Sequence, residues 1–154
     1  MLTEGNPYVV GKVAVRGNEI TRDNVILRQT RGMDPGRRFD RTGLERTQRR
    51  LRDGALFSDA KISILGEPED EVRDVLIEVK EKNTGSISFG AGISSDAGII
   101  GAIDLKQRNF DITDVPESFG EFATGKAFRG AGQSFGIALQ PGDETSNYSI
   151  NFAE

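Results

Sequence analysis

Cysteine and histidine are both absent from the 154 residues. Without cysteine there is no disulfide, thiolate metal ligand or thiol nucleophile; without histidine there is no imidazole ligand and no Ser-His or Cys-His pair. No apolar run approaches the ~20 residues of a membrane-spanning helix. The chain opens without a charged segment leading into an apolar one, so no secretion signal is expected in it. A basic excess is also missing. The 20 Lys and Arg stand against 24 Asp and Glu, a net charge of −4, which argues against a nucleic-acid binder. The phosphate-loop pattern G-x-x-x-x-G-K-[ST] does not occur. Gly130-Ala131-Gly132 with Gly136 has the wrong spacing for a dinucleotide fingerprint and no helical pattern after it, so these read as glycines of a crowded sheet. Glu67, Glu69, Asp70 and Glu71 lack the spacing and glycine of a calcium loop and read as a solvated turn. No carboxylate pair sits where its pKa would be raised. The expectation is a protein that is not an enzyme and uses no cofactor or metal.

The charge that is present is unevenly spread. Residues 1–82 carry 16 basic and 15 acidic side chains (+1), whereas residues 83–154 carry 4 and 9 (−5). Glycine rises from 8 in the first segment to 11 in the shorter second one. Two structural units are expected, 1–82 and 83–154, meeting around Glu81-Lys82-Asn83-Thr84.

The first unit reads as strand, helix, helix, strand, strand. Tyr8 to Arg16 alternates, with Val9, Val13 and Val15 against Lys12 and Arg16. Thr21 suits an N-cap, Asp23 the first helical turn and Ile20 a hydrophobic staple, before the short apolar group Val25, Ile26 and Leu27. Gly32 and Asp34-Pro35-Gly36 end that helix. A second helix is expected over Thr42–Asp53, with Leu44 and Leu51 on one stripe and Gly54 as its terminal glycine. Ala60, Ile62 and Ile64 alternate against Lys61 and Ser63; Val75, Ile77 and Val79 alternate against Asp74, Glu78 and Lys80. Strands with one apolar and one wet face call for both helices on the same side of a three-stranded sheet, an α+β arrangement. Residues 37–52 hold seven arginines against Asp40 and Glu45. They read either as a solvated helix face or as a docking surface for acidic groups, which the guanidinium fork suits.

The second unit alternates differently. Ile87, Phe89, Ala91 and Ile93 oppose Ser86, Ser88, Gly90, Gly92 and Ser94, and Asp96-Ala97-Gly98 forms a tight turn. Ile99, Gly101, Ile103 and Leu105 oppose Ala102, Asp104 and Lys106. A longer loop, about Asp111 to Lys126, carries Pro116, Phe119 and Phe122. Beyond it Gln133, Phe135, Ile137 and Leu139, then Tyr148, Ile150 and Phe152, mark two more strands around Pro141-Gly142-Asp143. About ten residues per segment, apolar on one face and small or polar on the other, is the pattern of a transmembrane β-barrel. A soluble antiparallel meander shows the same alternation. Serine and glycine on the second face fit a water-filled lumen better than a soluble surface.

Several short motifs extend the reading. Val13-x-Val15-x-Gly17-Asn18-x-x-Thr21, the Leu27-Arg28 pair, Gly36-x-x-Phe39, and Arg46-x-x-Arg49-Arg50-Leu51 followed by Phe57 resemble the BamA family of outer-membrane assembly factors. The strongest resemblance is V-K-E-x-N-T-G-S-x-x-F-G-x-G at Val79–Gly92, which in that family joins the last POTRA domain to the first barrel strand. The resemblance spans residues 8–154. It implies a β-α-α-β-β POTRA domain over 1–82, followed at 83–154 by about four strands from the start of a truncated transmembrane β-barrel. Family members often carry an acidic residue two positions after the arginine matching Arg28, where this chain has Thr30. The resemblance implies a bacterial outer-membrane location with residues 1–82 in the periplasm. Unfolded outer-membrane protein precursors are then the expected guests, bound by β-augmentation at Ala60, Lys61, Ile62, Ser63 and Ile64. Arg46, Arg49 and Arg50 become a docking face, with assembly-complex lipoproteins among the expected partners. Ile87, Phe89, Ile93, Ile99, Ile103 and Leu105 are expected to face outer-membrane lipid. A few strands cannot close a cylinder, so the piece should self-associate through its open edges. Two other readings use the same pattern: a POTRA-barrel transporter that secretes a partner or autotransporter, and a soluble β-rich binding or adhesin domain.

Overall fold

The structure is a computed structural model that describes residues 8–30, 32–95 and 98–154. Asp96 and Ala97 of the expected tight turn, and residues 1–7 of the expected first domain, lie outside the described residues. The chain divides into two compact units, one running to Lys82 and the other Asn83–Glu154.

The first unit runs β1 (Val9–Arg16), α1 (Asp23–Leu27), α2 (Arg41–Asp53), β2 (Phe57–Leu65) and β3 (Val72–Glu81). Its sheet has the order β1-β3-β2, with β1 parallel and β2 antiparallel to the central β3. Val75, Ile77 and Val79 alternate along β3, which lies between the other two strands, and they are buried with Ile26 of α1 and Leu51 of α2. Both helices therefore bury their apolar stripes in one core, as the one-sided alternation required. Asp40 caps α2 by accepting the Thr42 N–H at 2.9 Å, so the helix opens one residue earlier than its apolar periodicity suggests. Gly54 is its C-cap but in an extended conformation (φ −68°, ψ 170°), not the left-handed one expected of a terminal glycine.

Four expectations are corrected here. Val10, not Val9, enters the core, because the ladder to β3 slips between Val10 and Val13. Asp74 fixes the slip: its Oδ1 accepts the Lys12 N–H at 2.7 Å and lies where a side chain on Gly11 would go. Thr21 does not cap α1. The N-cap is Arg22, whose side chain does not cap the helix, and this shifts Ile20 out of the staple position and leaves it exposed. Instead Glu81, at the end of β3, receives the Glu19, Ile20 and Thr21 N–H groups at 3.2, 3.0 and 2.6 Å and holds the turn into α1. Ile64 is exposed, whereas Phe57 and Met33, outside the alternating sets, are fully buried.

The second unit is a four-stranded antiparallel sheet, β4 (Gly85–Ser94), β5 (Gly98–Phe110), β6 (Gln133–Gln140) and β7 (Asn147–Ala153), in sequential order. A short helix α3 (Phe119–Ala123) lies in the connection between β5 and β6. Register places Phe89 opposite Ile103, Ile103 opposite Leu139 and Leu139 opposite Tyr148. Directly opposed residues share a face, so the four apolar rows read from the sequence merge into one surface. The reverse face carries Ser86, Ser88, Gly90, Asp104, Lys106, Gly136, Ala138, Ser149 and Asn151. Near the end of β5 the register shifts between Gln107 and Phe110, which turns Phe110 onto the apolar face opposite Gln133. There it stacks on Phe135 at 4.8 Å and on Phe128 at 5.7 Å, with Phe152 edge-on at 6.3 Å.

Candidate functional site

Among the described residues no group of carboxylates is placed to hold a metal ion, and the candidate site is a set of surfaces. The first is the open side of β2. As the last strand of the order β1-β3-β2, it has a partner on one side only. The opposite edge is partly closed, because β1 exchanges hydrogen bonds with residues 36–39: Val10 donates to the Arg37 carbonyl and Gly36 to the Val10 carbonyl, both at 2.8 Å. On β2, Arg52 Nη2 donates to the Ala60 carbonyl at 3.2 Å, while the Ala60 N–H donates to Asp59 Oδ1 at 2.9 Å. Arg52 and Asp59 also form an ion pair at 3.4 Å. Those contacts place the Ala60 backbone groups on the outer side of the strand, and the two-residue period repeats that orientation at Ile62 and Ile64. Of the five expected edge residues, Ala60 is thus already occupied, Lys61 and Ser63 turn their backbone groups toward β3, and Ile62 and Ile64 present theirs outward.

The second surface is the basic face of α2. Arg46, Arg49 and Arg50 are all exposed. Arg50 donates to the Gln29 carbonyl at 3.2 Å and Arg49 approaches Glu45 at 3.9 Å. Part of this charge therefore holds the fold, leaving Arg46 as the member of the trio farthest from such use.

The third is the apolar face of the second unit. Ile87, Phe89, Ile93, Ile99, Ile103 and Leu105 lie together on it, joined by Phe135, Ile137, Ile150 and Phe152. Phe89, Ile93 and Ile150 are 77%, 89% and 72% exposed, and the surface runs unbroken over four strands. Soluble monomers do not leave a continuous apolar sheet face of this kind open to water. Sequence reasoning identified these rows but missed their reinforcement at one end by Phe110 and Phe128. Phe110 reaches the face only through the register shift, which no alternation count reveals. Phe128 adopts φ 57°, a conformation costly for a bulky side chain, and its ring stacks on Phe110.

The family profile described as POTRA, surface antigen variable number repeat, matches residues 8–82. Among curated relatives, the outer membrane protein assembly factor BamA of Nitratidesulfovibrio vulgaris is 34% identical over 119 residues, covering 76% of this chain and 15% of its own length. BamA of Buchnera aphidicola is 35% identical over 103 residues, 66% of this chain and 16% of the relative. BamA of Neisseria meningitidis is 28% identical over 153 residues, 97% of this chain and 17% of the relative. The chain spans about a sixth of the length of these relatives. The crystal structure of BamA from Haemophilus ducreyi lacking POTRA domains 1–3 superposes with a TM-score of 0.74 at 23% identity, covering 96% of this chain and 24% of that one. CdiB from Acinetobacter baumannii gives a TM-score of 0.50 at 14% identity, over 95% of this chain and 25% of that one. These two likenesses are of fold.

Proposed function

The chain belongs to the BamA family, with a POTRA domain over residues 8–82 followed by antiparallel strands, and from that premise we propose that it is the junction segment of an outer-membrane protein assembly factor. The domain divides from the barrel strands at Lys82–Asn83, with residues up to 82 in the periplasm. Unfolded barrel precursors add as an extra strand along β2, using its outward backbone groups at Ile62 and Ile64. A guest held through main-chain hydrogen bonds needs no particular side-chain sequence, which suits a factor with many substrates. β4 is the first barrel strand. Its second face is glycine and serine, so it pairs weakly with a closing neighbour and opens for incoming strands. No nucleotide, cofactor or metal is required, because strand pairing and burial in lipid supply the free energy.

The observation that carries this reading is the apolar face of the second unit, uninterrupted across four strands and backed by small and polar residues. Its apolar side faces lipid and its reverse side a watery lumen. Arg46 and Arg49 are the side chains best placed for an acidic surface on an accessory lipoprotein. The test is photocrosslinking in cells from Lys61 of β2 and Ser88 of β4. Adducts with nascent barrel proteins are expected at both positions, and their absence at both sinks the proposal. The fold shared with CdiB is compatible with a secretion transporter instead, and the number of POTRA domains upstream in the gene separates the two.

A further inference from the structure

The connection between β5 and β6 is the part of the second unit that strand pairing does not explain. It is built, not slack. Asp111 N–H donates to the Phe128 carbonyl at 2.9 Å and Phe128 N–H to the Asp114 carbonyl at 2.8 Å; Arg129 N–H reaches Asp114 Oδ2 at 3.0 Å. Asn109 receives Gly130 N–H on its carbonyl and Gly132 N–H on Oδ1, both at 2.9 Å. Ser118 caps α3 by accepting Glu121 N–H at 3.2 Å. This stitched frame holds four large apolar side chains in the open: Ile112 at 60% exposure, Val115 at 66%, Phe119 at 83% and Phe122 at 60%.

The position of Phe122 gives the reason. Phe122 lines an open hollow of about 770 Å³ together with Ile87, Leu105, Phe110, Phe128 and Ile137, so the loop continues the apolar strand face at the end where β4 begins. We propose that Ile112–Phe122 is an interfacial anchor, which buries these four side chains at the head-group boundary of the periplasmic leaflet and fixes the depth of the strands. The proposal rests on the lipid-facing reading of the strands. Aromatic side chains at that depth suit the boundary between hydrocarbon and water. The segment also carries Asp114, Glu117 and Glu121. Anionic lipid would repel those carboxylates, so the attraction is apolar and the occupant a zwitterionic phospholipid surface, with no gain from negative head groups.

The experiment uses the full-length protein folded into phosphatidylcholine vesicles, with Phe122→Trp or Ile103→Trp introduced and the unsubstituted protein's emission subtracted. Brominated phosphatidylcholines, with bromines shallow or deep on the acyl chain, then quench according to depth. Ile103→Trp should be quenched most by the deep bromines, and Phe122→Trp blue-shifted and quenched most by the shallow ones. Adding phosphatidylglycerol should not deepen the loop signal. Quenching at Ile103→Trp with none at Phe122→Trp overturns the anchor and leaves the lipid face standing. No quenching at Ile103→Trp overturns the lipid face, and the anchor with it.

Discussion

Tyr8 shows how much one side chain at the start of a strand can carry. Its ring stacks on Phe39 at 4.7 Å and lies under the Arg73 guanidinium at 4.2 Å, tying β1, the loop before α2 and β3 together. Burial raises its hydroxyl pKa above the ordinary 10.0, and the nearby positive charge of Arg73 only partly offsets this. A phenol whose folded pKa exceeds its unfolded one holds its proton more tightly in the folded state. Its contribution is complete below the unfolded value and is lost as pH climbs from there through the folded value. Stability of the POTRA domain should therefore fall as pH rises above about 10, with part of that slope absent in Tyr8→Phe. Urea unfolding of both proteins at a series of alkaline pH values measures the difference, and identical slopes would remove Tyr8 from the account.

At the scale of elements, β2 offers a sharper test of guest pairing than any side-chain deletion. Proline is tolerated in a strand only where its missing N–H faces away from the ladder. The Arg52–Ala60 contact sets the parity of β2 and so makes Ile64 such a position. Ile64 is also exposed, so little packing is lost. Ile64→Pro should change folding stability by no more than about 1 kcal/mol and cut precursor adducts from Lys61 several-fold. Undiminished adducts would place the guest strand elsewhere. The same element shows what was legible in the sequence and what was not. Alternation located every strand and the one-sided core, because polar and apolar residues at period two have a single consistent burial. It misplaced β1 by a residue at Val9, because a slip pinned by Asp74, sixty-two residues away, leaves no local trace. The turn into α1 reads as a threonine cap, but the N–H groups there donate to Glu81, sixty residues beyond Thr21. α3 has a local sign in the sequence, the Ser118-x-x-Glu121 pattern of a capping box, although Glu121 reaches one residue beyond the cap, to the Glu117 N–H at 2.9 Å. The outward parity of Ile62 and Ile64 depended on a hydrogen bond and could not be counted from the sequence.

At the scale of the whole chain, the two units solve burial in opposite ways, and that difference can be measured. The first closes a core of its own, with Ile26, Met33, Leu51, Phe57, Val75 and Ile77 all but inaccessible. Helices on one face complete it without lipid. The second unit leaves its large apolar side chains in the open, and among the described residues the outer edges of its terminal strands, β4 and β7, have no neighbour. Four strands fall short of the roughly eight of the smallest closed barrels, so residues 83–154 taken by themselves leave both edges open. Open edges and a bare apolar face are together the conditions for intermolecular strand pairing. Residues 8–82 expressed alone should therefore be monomeric and unfold cooperatively in urea. Residues 83–154 should sediment as oligomers or precipitate in detergent-free buffer, and regain dispersed strand signal in micelles. Analytical ultracentrifugation with circular dichroism, with and without detergent, reads both. A compact monomer of 83–154 in plain buffer would mean that its apolar face finds cover in the chain itself, and the membrane reading of that face would have to be given up.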